Sequence, residues 1–149
     1  MKILMVCLGN ICRSPLAHGV LQHLAHQRGL NWIVDSAGTG GWHVGNPPDH
    51  RAIAVARRHG IDITGQRAQQ FLDSYFDSYD YVFAMDRQNL RNLMQRAKTA
   101  EQRARVQLFL GDREVPDPYY DDDLFEPVFL LVRQRCTELM ERLTEKPKK

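Results

Sequence analysis

The segment Cys7-Leu8-Gly9-Asn10-Ile11-Cys12-Arg13-Ser14 sets a thiol and a guanidinium six positions apart on one short stretch. Gly9 and Asn10 accept positive φ and can turn successive amides inward, which makes a nest for an anion. Leu8, Ile11 and Cys12 supply the rest of that loop, and the planar fork of Arg13 matches two phosphate oxygens. The same positive field favours the thiolate of a cysteine, whose free thiol has a pKa of about 8.5. Cys7 is therefore expected to be a nucleophile toward a bound phosphate ester. Ser14 has two expected jobs, capping the following helix or giving its hydroxyl to the sulfur, and the sequence does not apportion them.

The chain carries its own control. Cys136 and Arg142 repeat the spacing, but inside an apolar-periodic segment where Cys136 reads as a small core residue. Context, not spacing, singles out the first occurrence.

Phosphoryl transfer to a thiolate also needs a proton for the leaving oxygen. Asp117, between Pro116 and Pro118, is the best-placed acid, because the prolines stiffen its loop. Asp121, Asp122 and Asp123 read instead as a solvated turn that biases the start of the last helix. Trp42, Tyr119 and Tyr120 are aromatic residues on loops and are expected to wall a flat ring above the anion pocket. Trp42 stands out because Gly40 and Gly41 cannot pack it themselves.

These residues need a frame. Ile3 to Val6 is a continuous apolar run and reads as a strand covered on both faces. A helix follows, capped at Ser14 with Pro15 in its first turn, carrying Ala17, Val20, Leu21, Leu24 and Ala25, and closed by Gly29. A second strand at 32–34 runs into Ser36-Ala37-Gly38 and a Gly-rich loop, then a helix from Pro47 and Pro48 to Gly60. A third strand spans 81–84, with Asp86 capping a helix through Leu90, Leu93, Met94 and Ala97. A fourth strand spans 106–110, and a long amphipathic helix from Phe125 to Leu143 precedes a basic tail at Lys146–Lys149, expected to fray. Alternating strands and helices predict an α/β three-layer sandwich with a parallel sheet. In such sheets ligands lie beyond the carboxyl ends of the strands, where the loop from Cys7 to Arg13 falls.

Composition sets the outer bounds. The 149 residues, 43% hydrophobic and 26% charged, suit one globular domain over 1–149 and exclude disorder. Twenty Lys and Arg against 18 Asp and Glu leave a net charge of +2, too balanced to advertise nucleic acid or a membrane surface as a partner. Three cysteines without a secretory h-region point to a reducing, cytoplasmic location. His18, His23 and His26 are expected on the polar side of their helix rather than around a metal, and His43 and His59 stay undecided.

Cys7 to Pro15, Ser36-Ala37-Gly38-Thr39, the run from Trp42 to Asp49, Met85-Asp86 and Asp117-Pro118-Tyr119-Tyr120 together resemble the low-molecular-weight protein tyrosine phosphatases, in order and over nearly the whole chain. The resemblance implies a four-stranded parallel sheet with helices on both faces, no metal or other cofactor, and a phosphocysteine intermediate. By motif position it makes Cys7 the nucleophile, Arg13 the phosphate clamp and Asp117 the acid that later serves as base. Asn10 would hold the loop, Ser14 would support the thiolate, and Trp42, Tyr119 and Tyr120 would line the aryl slot. Cys12 would be the thiol able to pair reversibly with Cys7, or else a loop-packing residue. The implied partners are tyrosine-phosphorylated proteins and small oxyanions, with a monomer, weak self-association allowed, as the expected state. Asp121 departs from the Gly common after the Asp-Pro-Tyr-Tyr segment, so the acidic run could repel or select substrates.

Related arsenate reductases need two further cysteines near the third strand, and none lies between Cys12 and Cys136. Phosphoarginine phosphatases resemble the same loop with Thr where this chain has Ile11, and an apolar side chain there suits an aryl ester better. A phosphate-binding carrier that does not turn over would need Cys7 but be indifferent to Asp117.

Overall fold

The computed structural model describes residues 1–144; the expected basic tail lies outside the described residues. Four strands, β1 (Lys2–Cys7), β2 (Ile33–Gly38), β3 (Tyr81–Ala84) and β4 (Val106–Leu108), form one parallel sheet in the order β2-β1-β3-β4. Helices α1 (Arg13–Gln27), α2 (His50–Arg58), α3 (Tyr75–Ser78), α4 (Arg87–Arg96), α5 (Ala100–Ala104) and α6 (Phe125–Thr144) surround it, with a 3₁₀ turn at Asp122–Leu124.

Why β1 lacks alternation is visible in its packing. Ile3, Met5 and Cys7 enter one core with α1, α2 and α6, while Leu4 and Val6 enter the other with Phe71, Phe76 and Leu93. Successive side chains of a strand point to opposite faces, so a strand with a core on each side must be apolar throughout. The chain leaves β1 toward β2 on one flank, and β3 pairs with β1 on the other. The carboxyl end of β1 is thus the point where strand order reverses, and a crevice opens there.

Several expected boundaries move. β2 includes Ser36 to Gly38 because β1 templates it to the end, with Met5 opposite Ser36 and Cys7 opposite Gly38. The prolines at 47 and 48 precede α2; its cap is Asp49, whose carboxylate accepts the Arg51 N–H at 2.8 Å. β4 stops at Leu108 because the Leu108 carbonyl is taken by the Gly111 N–H at 3.0 Å, turning the chain. The one-turn helices α3 and α5 are too short for a periodicity signal. Asp86 caps α4 as expected, accepting the Asn89 N–H at 2.7 Å.

His18 departs from its expected solvated face. Its Nδ1 lies 3.0 Å from Ser36 Oγ on β2, and burial pushes the imidazole below its ordinary pKa. His59 is a packing residue, stacked on Phe129 with centroids 4.4 Å apart and its Nε2 2.6 Å from Glu126. Among the described residues no helix is long and apolar enough to cross a membrane, and no group of three or more His, Cys, Asp or Glu could hold a metal ion.

Candidate active site

The loop between β1 and α1 is shaped by its carbonyls. Those of Cys7 and Leu8 accept the Thr39 and Gly40 N–H groups, each at 2.9 Å, and that of Ile11 accepts the Asp49 N–H at 2.8 Å. With these carbonyls tied to neighbouring segments, the loop brings the Asn10 N–H to Cys7 Sγ, to which it donates at 3.3 Å. Close approach to β2 requires Gly38, where an added Cβ would stand 2.8 Å from the Leu8 oxygen. Asn10 has φ 59°, the only positive φ at a non-glycine among the described residues, as the turn demands.

Asn10 also fixes where Ser14 lies. The Asn10 Oδ1 accepts the Gln69 N–H at 3.0 Å, which fixes the amide with its nitrogen toward Ser14 Oγ, 2.8 Å away. An amide nitrogen only donates, so Ser14 Oγ accepts there, and it also lies within hydrogen-bond distance of Cys7 Sγ at 3.0 Å, where its hydroxyl is free to donate. Ser14 is therefore not the cap: it lies inside the first turn of α1, whose N-cap position is Cys12, with no side-chain cap and no acid in that turn. Helices α2 and α4 begin at carboxylate caps, Asp49 and Asp86, whereas α1 presents its N-terminal dipole uncapped by a side chain.

Arg13 is 6% exposed. Its Nη1 donates to Asp86 Oδ2 at 2.9 Å and to the Val115 carbonyl at 3.1 Å, which fixes one edge of the fork and leaves the guanidinium lining the cleft. Asp86 thus has a second job beyond capping α4. Cys12 is buried, and burial, reinforced by Asp49, holds its thiol well above the ordinary range, so it stays protonated. Cys7, Cys12 and Cys136 are all free thiols.

A cleft of about 260 Å³ brings together Cys7, Leu8, Gly9, Ile11, Cys12 and Arg13 with Trp42, Asp117, Tyr119 and Tyr120. Asn10 and Ser14 stand behind it as buried supports. His43, left undecided by the sequence, joins the wall next to Trp42. Asp117 is held in an Asx turn, its Oδ1 accepting the Tyr119 N–H at 3.1 Å. Trp42 is 71% exposed, yet its glycines are not idle: a Cβ on Gly40 would collide with the indole, so Gly40 is the seat on which the ring lies. The acidic run shapes its own loop, with Asp121 Oδ1 accepting the Asp123 N–H at 2.9 Å and Asp122 pairing with Arg51 at 2.6 Å.

With this geometry in place, comparison with known proteins is informative. A family profile described as "Low molecular weight phosphotyrosine protein phosphatase" matches residues 2–149. The human low molecular weight phosphotyrosine protein phosphatase is 38% identical over 151 residues, covering 95% of this chain and 94% of the relative. The crystal structure of YfkJ from Bacillus subtilis superposes with a TM-score of 0.91 at 36% identity, covering 99% of this chain and 97% of that one. A Drosophila arginine phosphatase superposes with a TM-score of 0.90 at 33% identity, covering 99% and 100%.

Proposed function

Because the chain belongs to the low molecular weight phosphotyrosine protein phosphatases and is an enzyme of that class, we propose that Cys7 is its nucleophile and that Asp117 is its acid and base. The observation that carries this is one cleft lined by Cys7, Arg13 and Asp117, with the Ser14 hydroxyl and the Asn10 N–H aimed at the sulfur.

The Cys7 thiolate attacks phosphorus in line, forming the S–P bond as the P–O bond to the aryl group breaks. The Asp117 carboxylic acid passes its proton to the departing phenolate oxygen. Water then gives a proton to the Asp117 carboxylate and attacks phosphorus, and the S–P bond breaks to return the thiolate and inorganic phosphate. Charge spreading onto the equatorial oxygens is met by Arg13 and the loop amides, which therefore act on rate as well as on binding. The Asn10 N–H and the Ser14 hydroxyl beside the sulfur can hydrogen-bond to it as the S–P bond breaks. The substrates are phosphotyrosine proteins and small aryl phosphates, with Trp42, Tyr119 and Tyr120 flanking the ring.

The resemblance to an arginine phosphatase makes phosphoarginine the second reading, since overall shape does not separate the two. Ile11 on the cleft wall favours the aryl ester over a charged guanidinium. Side-by-side assay of a phosphotyrosine and a phosphoarginine peptide is expected to show faster release from the first; the reverse order would replace the substrate while keeping the nucleophile. For the acid, Asp117→Ala should lower kcat/KM, which reports the steps up to cleavage of the P–O bond, by about 10²- to 10³-fold on phenyl phosphate, whose leaving group needs a proton, and much less on p-nitrophenyl phosphate. Equal losses would remove Asp117 from the role.

A further inference from the structure

Arg51 lies outside the cleft, in the first turn of α2, yet it makes the most elaborate set of contacts of any surface side chain near the site. Its Nη2 and Nε bind Asp49 Oδ2 and Oδ1 at 2.9 and 3.0 Å, and its Nη1 binds Asp122 Oδ1 at 2.6 Å. The guanidinium carbon also stands 5.4 Å from the Tyr119 ring centroid and 4.7 Å from that of Phe125. On one side this set leads to the thiol loop, because the Asp49 N–H is bound to the Ile11 carbonyl at 2.8 Å. On the other it leads to the acid, because the Tyr119 N–H is bound to Asp117 Oδ1. From Pro116 to Leu124 the hydrogen bonds otherwise run within the segment or into α6 among the described residues, and the Arg51–Asp122 pair is the one that reaches another element.

We propose that Arg51 is a positioning residue that locks the Asp117 loop in register with the Cys7 loop, acting through Asp122 and the face of Tyr119. The proposal rests on the reading of Asp117 as the acid. It requires a guanidinium: the plane that binds Asp49 with two nitrogens also stacks on the rings, and a third nitrogen remains for Asp122, a combination an ammonium cannot reproduce. Small displacements matter because proton transfer to the leaving oxygen needs hydrogen-bond reach, and about 1 Å of misplacement can cost 10²-fold in rate. Losing the lock should therefore weaken protonation of the leaving group and spare the attack by sulfur.

The experiment compares kcat/KM, which reports the steps up to release of the phenol, on phenyl phosphate and p-nitrophenyl phosphate for the whole enzyme, Arg51→Lys, Asp122→Asn, Asp117→Ala and the Arg51→Lys/Asp117→Ala double variant. Asp122→Asn changes an exposed side chain, so it tests the loop end of the lock without disturbing α2. Arg51→Lys is expected to lose about tenfold on phenyl phosphate and about twofold on p-nitrophenyl phosphate, Asp122→Asn to show the same bias at about threefold, and the double variant to be no slower than Asp117→Ala. Equal losses on the two substrates, or multiplying losses in the double variant, would overturn the proposal while Asp117→Ala alone stays leaving-group selective. A flat Asp117→Ala response would instead overturn the acid assignment and this proposal with it.

Discussion

Cys7 with Arg13 and Cys136 with Arg142 are the same two residue types at the same separation, and the protein makes opposite uses of them. Cys136 is fully buried on α6, its sulfur 3.8 Å from the Ala17 carbonyl of α1, and burial pushes its thiol far above the ordinary range. Arg142 is exposed at the end of the same helix. In a helix the six-residue step separates the two side chains along the axis by about 9 Å, so neither can act on what the other holds. At Cys7 the chain turns through Asn10 in the left-handed region, which folds the same six residues into a cup. A thiol becomes a site when the backbone around it presents donors, and a packing residue when it presents apolar surface.

The sharpest break in that comparison is the sulfur itself. Cys7→Ser is expected to reduce kcat by about 10⁴-fold or more with the fold intact, since the alcohol is a poor anion at neutral pH. Cys136→Ser should leave kcat within about twofold but cost about 1–3 kcal/mol of stability by burying a hydroxyl with one distant carbonyl for company. Steady-state assay and thermal melting of the two variants check both halves. The comparison fails if Cys136→Ser inactivates a folded enzyme.

The next effect is at the guanidinium. Arg13→Lys keeps the charge and loses the fork, and kcat should fall about 10²- to 10³-fold, as when an oxyanion donor is removed. Arg142→Lys should be neutral. Near-normal turnover in Arg13→Lys would show that the loop amides alone carry the developing charge, and would sharpen the contrast to one of backbone rather than side chain.

The asymmetry also explains what could be read from the sequence. β1, the turn at Gly9 and Asn10 and the start of α1 are consecutive, so an apolar run followed by turn residues and a helix announces them, and Asp86 as a cap is equally local. Ser14 could not be apportioned because the answer depends on Asn10, whose orientation is set by Gln69, 59 residues away. The same holds for Arg51, whose partner Asp122 is 71 residues distant, for the second job of Asp86, which lies 73 residues from Arg13, and for His18 against Ser36 on the neighbouring strand. Each is a polar side chain whose partner is chosen by the packing of separate elements, and no pattern in one stretch encodes that choice.

The smallest effect tests the outermost part of the contrast, the surroundings that complete the cup. The Trp42 indole rests on Gly40, and the Gly40 N–H also ties down the Leu8 carbonyl at 2.9 Å. Ala at position 40 must displace the ring, and because Trp42 is mostly exposed the ring can swing aside without unfolding anything. The expected result is loss of one wall of the aryl slot: KM for phenyl phosphate rises about threefold while kcat holds, as for an interaction equal in ground and transition states. Gly65→Ala is the matched control, since a Cβ there meets nothing within 4 Å. A fall in kcat in Gly40→Ala would mean that the strain is relieved through the Leu8 tie instead of the indole, and that the loop amides, not the aromatic wall, are what Gly40 protects.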